Sequence, residues 1–389
     1  VTSTPTAGAR PDEVRRHNRT ALLRRLHVDG PCTRAALATE LGLNRSTIKA
    51  LVDGLAESGV VEERVPRARS GAGRPSLLVL PQPLAAVVLA VDIRVEQVAI
   101  ALVGLGGQML GRDSWNLRGR AGEPDEVITR VIESTRVLAE ELKVAPVAAG
   151  ISVPGVVRRR DGFVHEAPNL KWTGVPLGDR LTAAFGFPVR VANDAEIAAL
   201  AEHLRGAARG SLDAVYVSAD VGVGGGVISD GSTLRGTAGY VGELGHMVIN
   251  PAGRPCYCGS RGCWETEVGE LALCRALDLP TPSPRGRIVA ELRALTPDHI
   301  PVVLGEFTHW LATGLITIVN AFGPELVVLG DLFTALPPQV VTEVAATVSR
   351  RSLVSRAIGG TRLLTSTMGT DVKLTGAAEL AFEPVLHTV

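Results

Sequence analysis

Apolar positions recur at helical spacing in three blocks at the start of the chain. The first, about 12–28, sets Val14, Leu22, Leu23 and Leu26 toward one face and stops at Gly30-Pro31. Thr33 can cap a short second helix, RAALATEL, whose Ala35, Leu37, Ala38 and Leu41 share a face. Gly42 breaks it, and Asn44 can cap a third, RSTIKALVDGLAES. There Ile48, Leu51, Val52 and Leu55 point inward, while Arg45, Ser46, Thr47 and Lys49 lie near the exposed amino end. The strand-like VVEERV and SLLVL follow, joined by PRARSGAGRP. From residue 84 the pattern changes. LAAVVLAVDIRVEQVAIALV reads as two buried strands with a turn at DIRVEQ. AAGISVPGVV (148–157), PVRVAND (188–194), AVYVSADVGVGGGVI (214–228) and ELVVLGDL (325–332) are further strands ending in Gly or Asp. Helical stretches at 124–143 and 194–208 lie between them, which predicts α/β layers.

These elements divide the chain into a short flexible tail (1–10), a winged helix-turn-helix (11–82) and an α/β body (83–389). Two α/β units in the body could form lobes around a cleft, with a boundary near 193 and the C-terminal segment returning to the first lobe. A helix, a tight Gly-containing turn and a helix with a polar first turn is a DNA-reading arrangement. It predicts base-edge contacts by Arg45, Ser46, Thr47 and Lys49, and phosphate contacts by Arg34 and Arg64. Arg67, Arg69 and Arg74 lie in the wing loop, where Gly73-Arg74-Pro75 is narrow enough for an A·T-rich minor groove. A small helical domain with a solvated basic loop is the plainer alternative. The stretch TRAALATELGLNRSTIKALVDGLAESGVVEE resembles the winged helix of many bacterial repressors.

Charge supports the division. The 389 residues carry 40 basic and 40 acidic side chains, but residues 10–74 hold thirteen basic against eight acidic, leaving 27 against 32 elsewhere. A basic first module on an acidic body suits a module that meets a polyanion. No run of about 18 apolar residues exists, so no membrane partner is expected. The opening VTSTPTAGARP lacks a signal peptide's apolar core, and five cysteines make a disulfide framework unexpected. The expected location is cytoplasmic.

The body carries PNLKWTGVPL (168–177), VANDAEIAALAE (191–202), VGVGGGVI (221–228), GELGHMVI (242–249), CYCGSRGCWE (256–265) and GPELVVLGD. Their order and spacing resemble the ROK family of repressors, open reading frames and sugar kinases, over essentially 83–389. The winged helix in front matches its repressor branch. The resemblance implies a two-lobed actin-like, ribonuclease H-like fold of the sugar-kinase ATPase type. It also implies that Asn169, Asn193, Asp194, Glu243, His246 and Glu265 hold sugar hydroxyls, Asp194 being the position of the kinases' general base. Carboxylates and amides suit a ring of hydroxyls, which they bind in pairs. Taken alone, Asn-Asp after a strand is more often a turn or helix cap, and Glu243 and Glu265 could be solvated surface charges.

The family's first phosphate loop, approximately D-x-G-G-T, corresponds here to Asp92-Ile93-Arg94-Val95-Glu96, without glycine or threonine. The second, usually G-T-G-x-G-G-G, reads Asp220-Val221-Gly222-Val223-Gly224-Gly225-Gly226. Two losses at phosphate contacts predict a chain that is no enzyme and in which Asp194 is a relic base, since phosphoryl transfer is mostly positioning and charge stabilisation. A sugar kinase with an appended DNA-binding module is the alternative, and so is a regulator whose partner is a protein.

Cys256, Cys258 and Cys263, with His246 ten residues upstream of Cys256, offer three thiolates and an imidazole, a closed tetrahedral zinc set. The resemblance assigns the same four ligands, and metal-free redox cysteines are the other reading. Cys32 and Cys274 read as ordinary buried cysteines. The sequence therefore predicts a sugar-responsive regulator with structural zinc. Its expected partners are double-stranded DNA carrying an A·T-rich inverted repeat and a monosaccharide or sugar-phosphate effector, bound by a homodimer or homotetramer.

Overall fold

The computed structural model describes residues 11–65, 77–117 and 122–389; the wing arginines Arg67, Arg69 and Arg74 and the tail 1–10 lie outside the described residues. The chain opens with α1 (Pro11–Asp29), β1 (Cys32–Thr33), α2 (Arg34–Glu40), α3 (Arg45–Glu57), β2 (Val61–Arg64) and β3 (Leu78–Pro81). The Thr33 hydroxyl accepts from Ala36 N and the Asn44 amide oxygen from Thr47 N, so both short helices start at their side-chain caps. The three strands form an antiparallel sheet in the order β1-β3-β2 beside the helices, the winged-helix arrangement. Leu22, Leu23, Leu26, Leu37, Ile48, Val52 and Leu55 are buried. Val14 is 45% exposed and Ala35 is exposed as well: each apolar stripe continues past the stretch that its neighbours cover.

The first lobe contains β4 (Val87–Ile93), β5 (Gln97–Gly104), β6 (Gln108–Asn116), α4 (Pro124–Leu142) and β7 (Ala148–Val153). A small hairpin layer, β8 (Val156–Arg158), β9 (Phe163–Ala167) and β10 (Trp172–Val175), precedes α5 (Leu177–Phe185), β11 (Val189–Asn193) and α6 (Asp194–Arg205). Its main sheet runs β11-β7-β4-β5-β6, with β11, β7 and β4 parallel and the β4–β5–β6 meander antiparallel.

The second lobe repeats this logic. It holds β12 (Ala214–Ala219), β13 (Val223–Ser229), β14 (Ser232–Thr233), α7 (Trp264–Val268), α8 (Glu270–Ala276), α9 (Arg285–Ala294) and α10 (Ile300–Phe322). β15 (Leu326–Asp331), α11 (Pro338–Arg351), α12 (Leu353–Ala357) and β16 (Arg362–Thr365) complete it, in the sheet order β14-β13-β12-β15-β16. By length and composition α10 could cross a membrane, yet half of its most apolar stretch is buried, and Leu304, Leu311, Leu315, Ile318 and Val319 sit in the lobe's core.

The last helix, α13 (Val372–Thr388), returns to the first lobe and packs on β4, β7 and α6. Close approach explains two glycines. A Cβ on Gly150 would stand 1.9 Å from Ala377 O, and one on Gly376 would stand 2.1 Å from Ile197 O. This is the mixed-sheet, actin-like ATPase fold, preceded by a helical module. The step from module to body at Pro83–Ala85 is a single 3-10 turn, and one apolar core runs through it, from Leu22, Leu26 and Val52 to Val88, Ala377 and Phe382.

Candidate ligand cleft and metal knuckle

Strand ends converge between the lobes on a cleft of about 720 Å³ of open space. Asn169, Asn193, Asp194, Glu243, His246 and Glu265 all line it, although they come from four separate segments. Asn193 ends β11 and caps α6: its amide oxygen accepts from Ala195 N at 2.8 Å and Glu196 N at 3.3 Å, and its amide nitrogen donates to Gly155 O at 2.9 Å. Both ends of this side chain are thus engaged with backbone, and they fix Asp194 at the first position of α6. Asn169 lies in the 3-10 turn Pro168–Leu170, across from Gly222. Glu243 stands at the mouth, 3.9 Å from His246 Nε2.

Glu265 is the most connected carboxylate in the cleft. Its Oε2 accepts from Val223 N at 3.3 Å and its Oε1 accepts from Cys256 Sγ at 3.3 Å. Val223 belongs to the second glycine-rich loop, so an amide of that loop is already occupied by a carboxylate. The surviving glycines also have packing reasons. A Cβ on Gly225 would meet Leu244 at 2.3 Å, and one on Gly226 would meet Ala195 O and Ala199 Cβ at 2.5 Å. At the first loop the Arg94 guanidinium folds back on Asp92, 2.5 Å from its Oδ2, and donates to Thr370 O.

The floor of the cleft is ionic. Lys373, in the first turn of α13, is 1% exposed and places Nζ 2.7 Å from Asp194 Oδ2, 3.3 Å from Asp331 Oδ2 and 3.6 Å from Asp220 Oδ2. Arg285 of α9 bridges Asp220 and Asp331. Burial opposes the Lys373 charge, but Asp194, Asp331 and Asp220 outweigh it and hold the ammonium well above its ordinary range. Burial likewise pushes the Asp331 carboxyl up, and Lys373, Arg285 and Arg94 together bring it below the usual value. Asp92, fully buried, goes the other way: burial raises it, with Arg94 and Lys373 only partly offsetting the desolvation.

Beside the cleft, His246, Cys256, Cys258 and Cys263 place one donor atom each within 4.8 Å of one another. Cys256 Sγ is 3.6 Å from His246 Nδ1, and Cys258 Sγ is 3.6 Å from Cys263 Sγ. Tetrahedral zinc–thiolate bonds of about 2.3 Å set sulfurs about 3.7 Å apart, so the donor set fits a structural metal such as Zn²⁺. Backbone holds the knuckle: Cys256 N donates to Ser260 O, Val248 pairs with Cys263, and Pro255 pairs with Arg261. Gly262 is required, since a Cβ there would fall 1.5 Å from Asn250 O. His246 serves both sites: Nδ1 faces the thiols, and Nε2 lies 2.9 Å from the Tyr257 hydroxyl, which also lines the cleft. Cys32 and Cys274 are free and buried.

In the N-terminal module, Arg45, Ser46 and Lys49 are exposed and Thr47 half-buried on the first turns of α3. Lys49 pairs with Asp53, Arg64 pairs with Glu62, and the Arg34 guanidinium is held by Glu63 and Asp53. Three of the cations assigned to DNA therefore already have acidic neighbours, and Arg34 is fully engaged inside the module.

Sequence patterns did not point to Lys373, Arg285, Tyr257 or the Asp92–Arg94 pair. A signal existed for Lys373: it shares helical spacing with Gly376, Ala377 and Leu380, the buried face of α13.

Residues 88–383 match the ROK family. The xylose repressor of Bacillus spizizenii is 29% identical over 97% of both chains, and the glucokinase of Streptomyces coelicolor is 30% identical over 76% of this chain and 98% of its own. A crystal structure of a ROK family transcriptional regulator, a homolog of the E. coli MLC protein, superposes with a TM-score of 0.77 at 24% identity, covering 96% of this chain and 97% of its own.

Proposed function

Because the chain belongs to the ROK family, we propose that it is a sugar-responsive, DNA-binding transcriptional regulator, a repressor of carbohydrate uptake or metabolism genes with a degenerate ATP site. The observation that carries this reading is the division within the cleft. The hydroxyl-binding set Asn169, Asp194, Glu243, His246 and Glu265 faces open space, whereas the two phosphate-loop positions are filled by the Arg94–Asp92 pair and the Glu265–Val223 contact. A repressor relative aligned over nearly the whole chain, module included, supports the same reading.

Asp194, with Asn193 fixing its position, accepts sugar hydroxyls; Glu243 and Glu265 accept others, and His246 orients through its Nε2. His246, Cys256, Cys258 and Cys263 would hold zinc, which supplies a cross-link with no open position for catalysis. Arg45, Ser46, Thr47 and Lys49 read bases, and Arg64 with the wing arginines Arg67, Arg69 and Arg74 contacts an A·T-rich inverted repeat. A symmetric operator calls for a dimer or tetramer, working in the cytoplasm. Sugar closes the lobes and changes the placement of the module, so operator and inducing sugar oppose each other's binding.

A gel-shift assay on the protein's own promoter, repeated with xylose, glucose, N-acetylglucosamine and their phosphates, tests the reading. One sugar is expected to alter operator affinity, and none to be phosphorylated with ATP and magnesium. Appreciable sugar phosphate formation would instead establish the kinase reading, which the glucokinase relative and the retained Asp194 favour.

A further inference from the structure

We propose that Lys373 is the resident cation of the cleft, a tethered ammonium at the focus of Asp194, Asp220 and Asp331 that takes the place of a dissociable divalent metal ion. The inference rests on reading the cleft as a ligand site that transfers no phosphate, and it explains how such a site stays closed to metal-bound nucleotides.

Three carboxylates reach this point from different elements: the start of α6, the turn between β12 and β13, and the end of β15. Carboxylate oxygens converging in this way form the donor set of a hard divalent cation. The Lys373 ammonium occupies their centre, with all three within 3.6 Å. Two further observations tie the carboxylates to a cation. Asp331 is held at φ 49° and ψ −123°, costly for a residue with a Cβ, and both Lys373 and Arg285 grip its carboxylate there. Asp92 Oδ1 is buried and makes no hydrogen bond, so the floor keeps a surplus of acceptors even with Lys373 present. Beside the Asp92–Arg94 pair, Asp194, Asp220 and Asp331 face Arg285 and Lys373: three anions against two cations. Without Lys373 the balance is three against one, which one divalent ion would neutralise. With it, the floor offers an incoming phosphate no uncompensated positive charge and leaves a metal ion no opening. The ligand class that fits is an uncharged polyhydroxy compound bound without metal.

The test is Mn²⁺ uptake by the zinc-loaded full-length protein, followed by loss of the free-ion EPR signal, for wild type and Lys373→Ala. Wild type is expected to take up none at submillimolar Mn²⁺. The variant is expected to bind one ion per chain, about tenfold or more tighter than wild type, and to recover its lost melting temperature with Mn²⁺ or Mg²⁺ but not Na⁺. Adding Asp331→Asn to the variant should abolish the uptake. Lys373→Gln, which keeps the stem without the charge, takes the same measurement should the alanine variant not fold. Uptake by wild type, or absence of uptake in both variants, overturns the proposal. Sugar-dependent operator binding by wild type is scored separately, so failure of the regulator reading and failure of this assignment are told apart.

Discussion

Glu265 joins three features that a list of sugar ligands would keep separate: it faces the cleft, accepts from the Val223 amide and lies 3.3 Å from Cys256 Sγ, a donor atom of the metal knuckle. Glu265→Gln keeps the shape and removes the charge. Hydrogen bonds to charged groups contribute about 1.5–3 kcal/mol, so sugar affinity should fall about tenfold to a hundredfold by calorimetry, while operator affinity without sugar stays the same. Unchanged sugar binding would remove Glu265 from the site. Residues of this kind were legible in the sequence because a motif displayed them side by side. Lys373 was not: its spacing with Gly376, Ala377 and Leu380 marks a buried position, but its partner Asp194 lies 179 positions away and leaves no trace in VKLTGAAEL. Arg94 was visible only as a missing glycine, since its value lies in Asp92 and Thr370, the latter far away in the chain.

Helices α6 and α13 lie side by side and are linked by ion pairs at both ends of α6. At one end Asp194 and Lys373 pair in the cleft; at the other, Arg205 of α6 and Glu379 of α13 meet His27 of α1. Eleven residues of α6 span about 17 Å between the two sites. At the far end Gly106 N–H occupies His27 Nδ1, so the ring proton faces Glu379 from Nε2, and Arg205 also donates to the His27 carbonyl. Burial raises the Glu379 carboxyl, but His27 and Arg205 outweigh it and hold it below the usual range. A depressed carboxyl contributes stability that is fully present above its unfolded value, about 4.3, and is lost as pH falls through the lower folded value. Glu379→Gln is therefore expected to cost about 3–5 kcal/mol at pH 7, as breaking a buried pair does, and to lose less further stability than wild type between pH 5 and the acid transition. Denaturant titrations at several pH values measure both. The same variant should weaken the effect of sugar on operator affinity. The elements themselves were readable, caps included, because Thr33 and Asn44 act within three residues of their own positions; contacts between distant helices leave no such local trace.

The His246–cysteine knuckle and the cleft form one unit at the scale of the whole molecule, because His246 serves both and Glu265 follows the knuckle directly. Removing the metal with a strong chelator, or replacing Cys258 with serine, should lower sugar affinity at least about tenfold, as the loss of a ligand-orienting metal site does. Operator binding in the absence of sugar should persist, since the knuckle lies in the second lobe and the winged helix packs on the first. A Cys258→Ser protein with full zinc content and normal sugar affinity would contradict this. The unbroken core from α1 through β4 to α13 bears on how such proteins can be recombined. A winged helix grafted from a relative onto this body would arrive without the partners of His27 and Leu26, and a kinase body given this module would lack the face that receives them. Working chimeras should thus exchange α1 and α13 together, as a matched pair drawn from opposite termini of the chain.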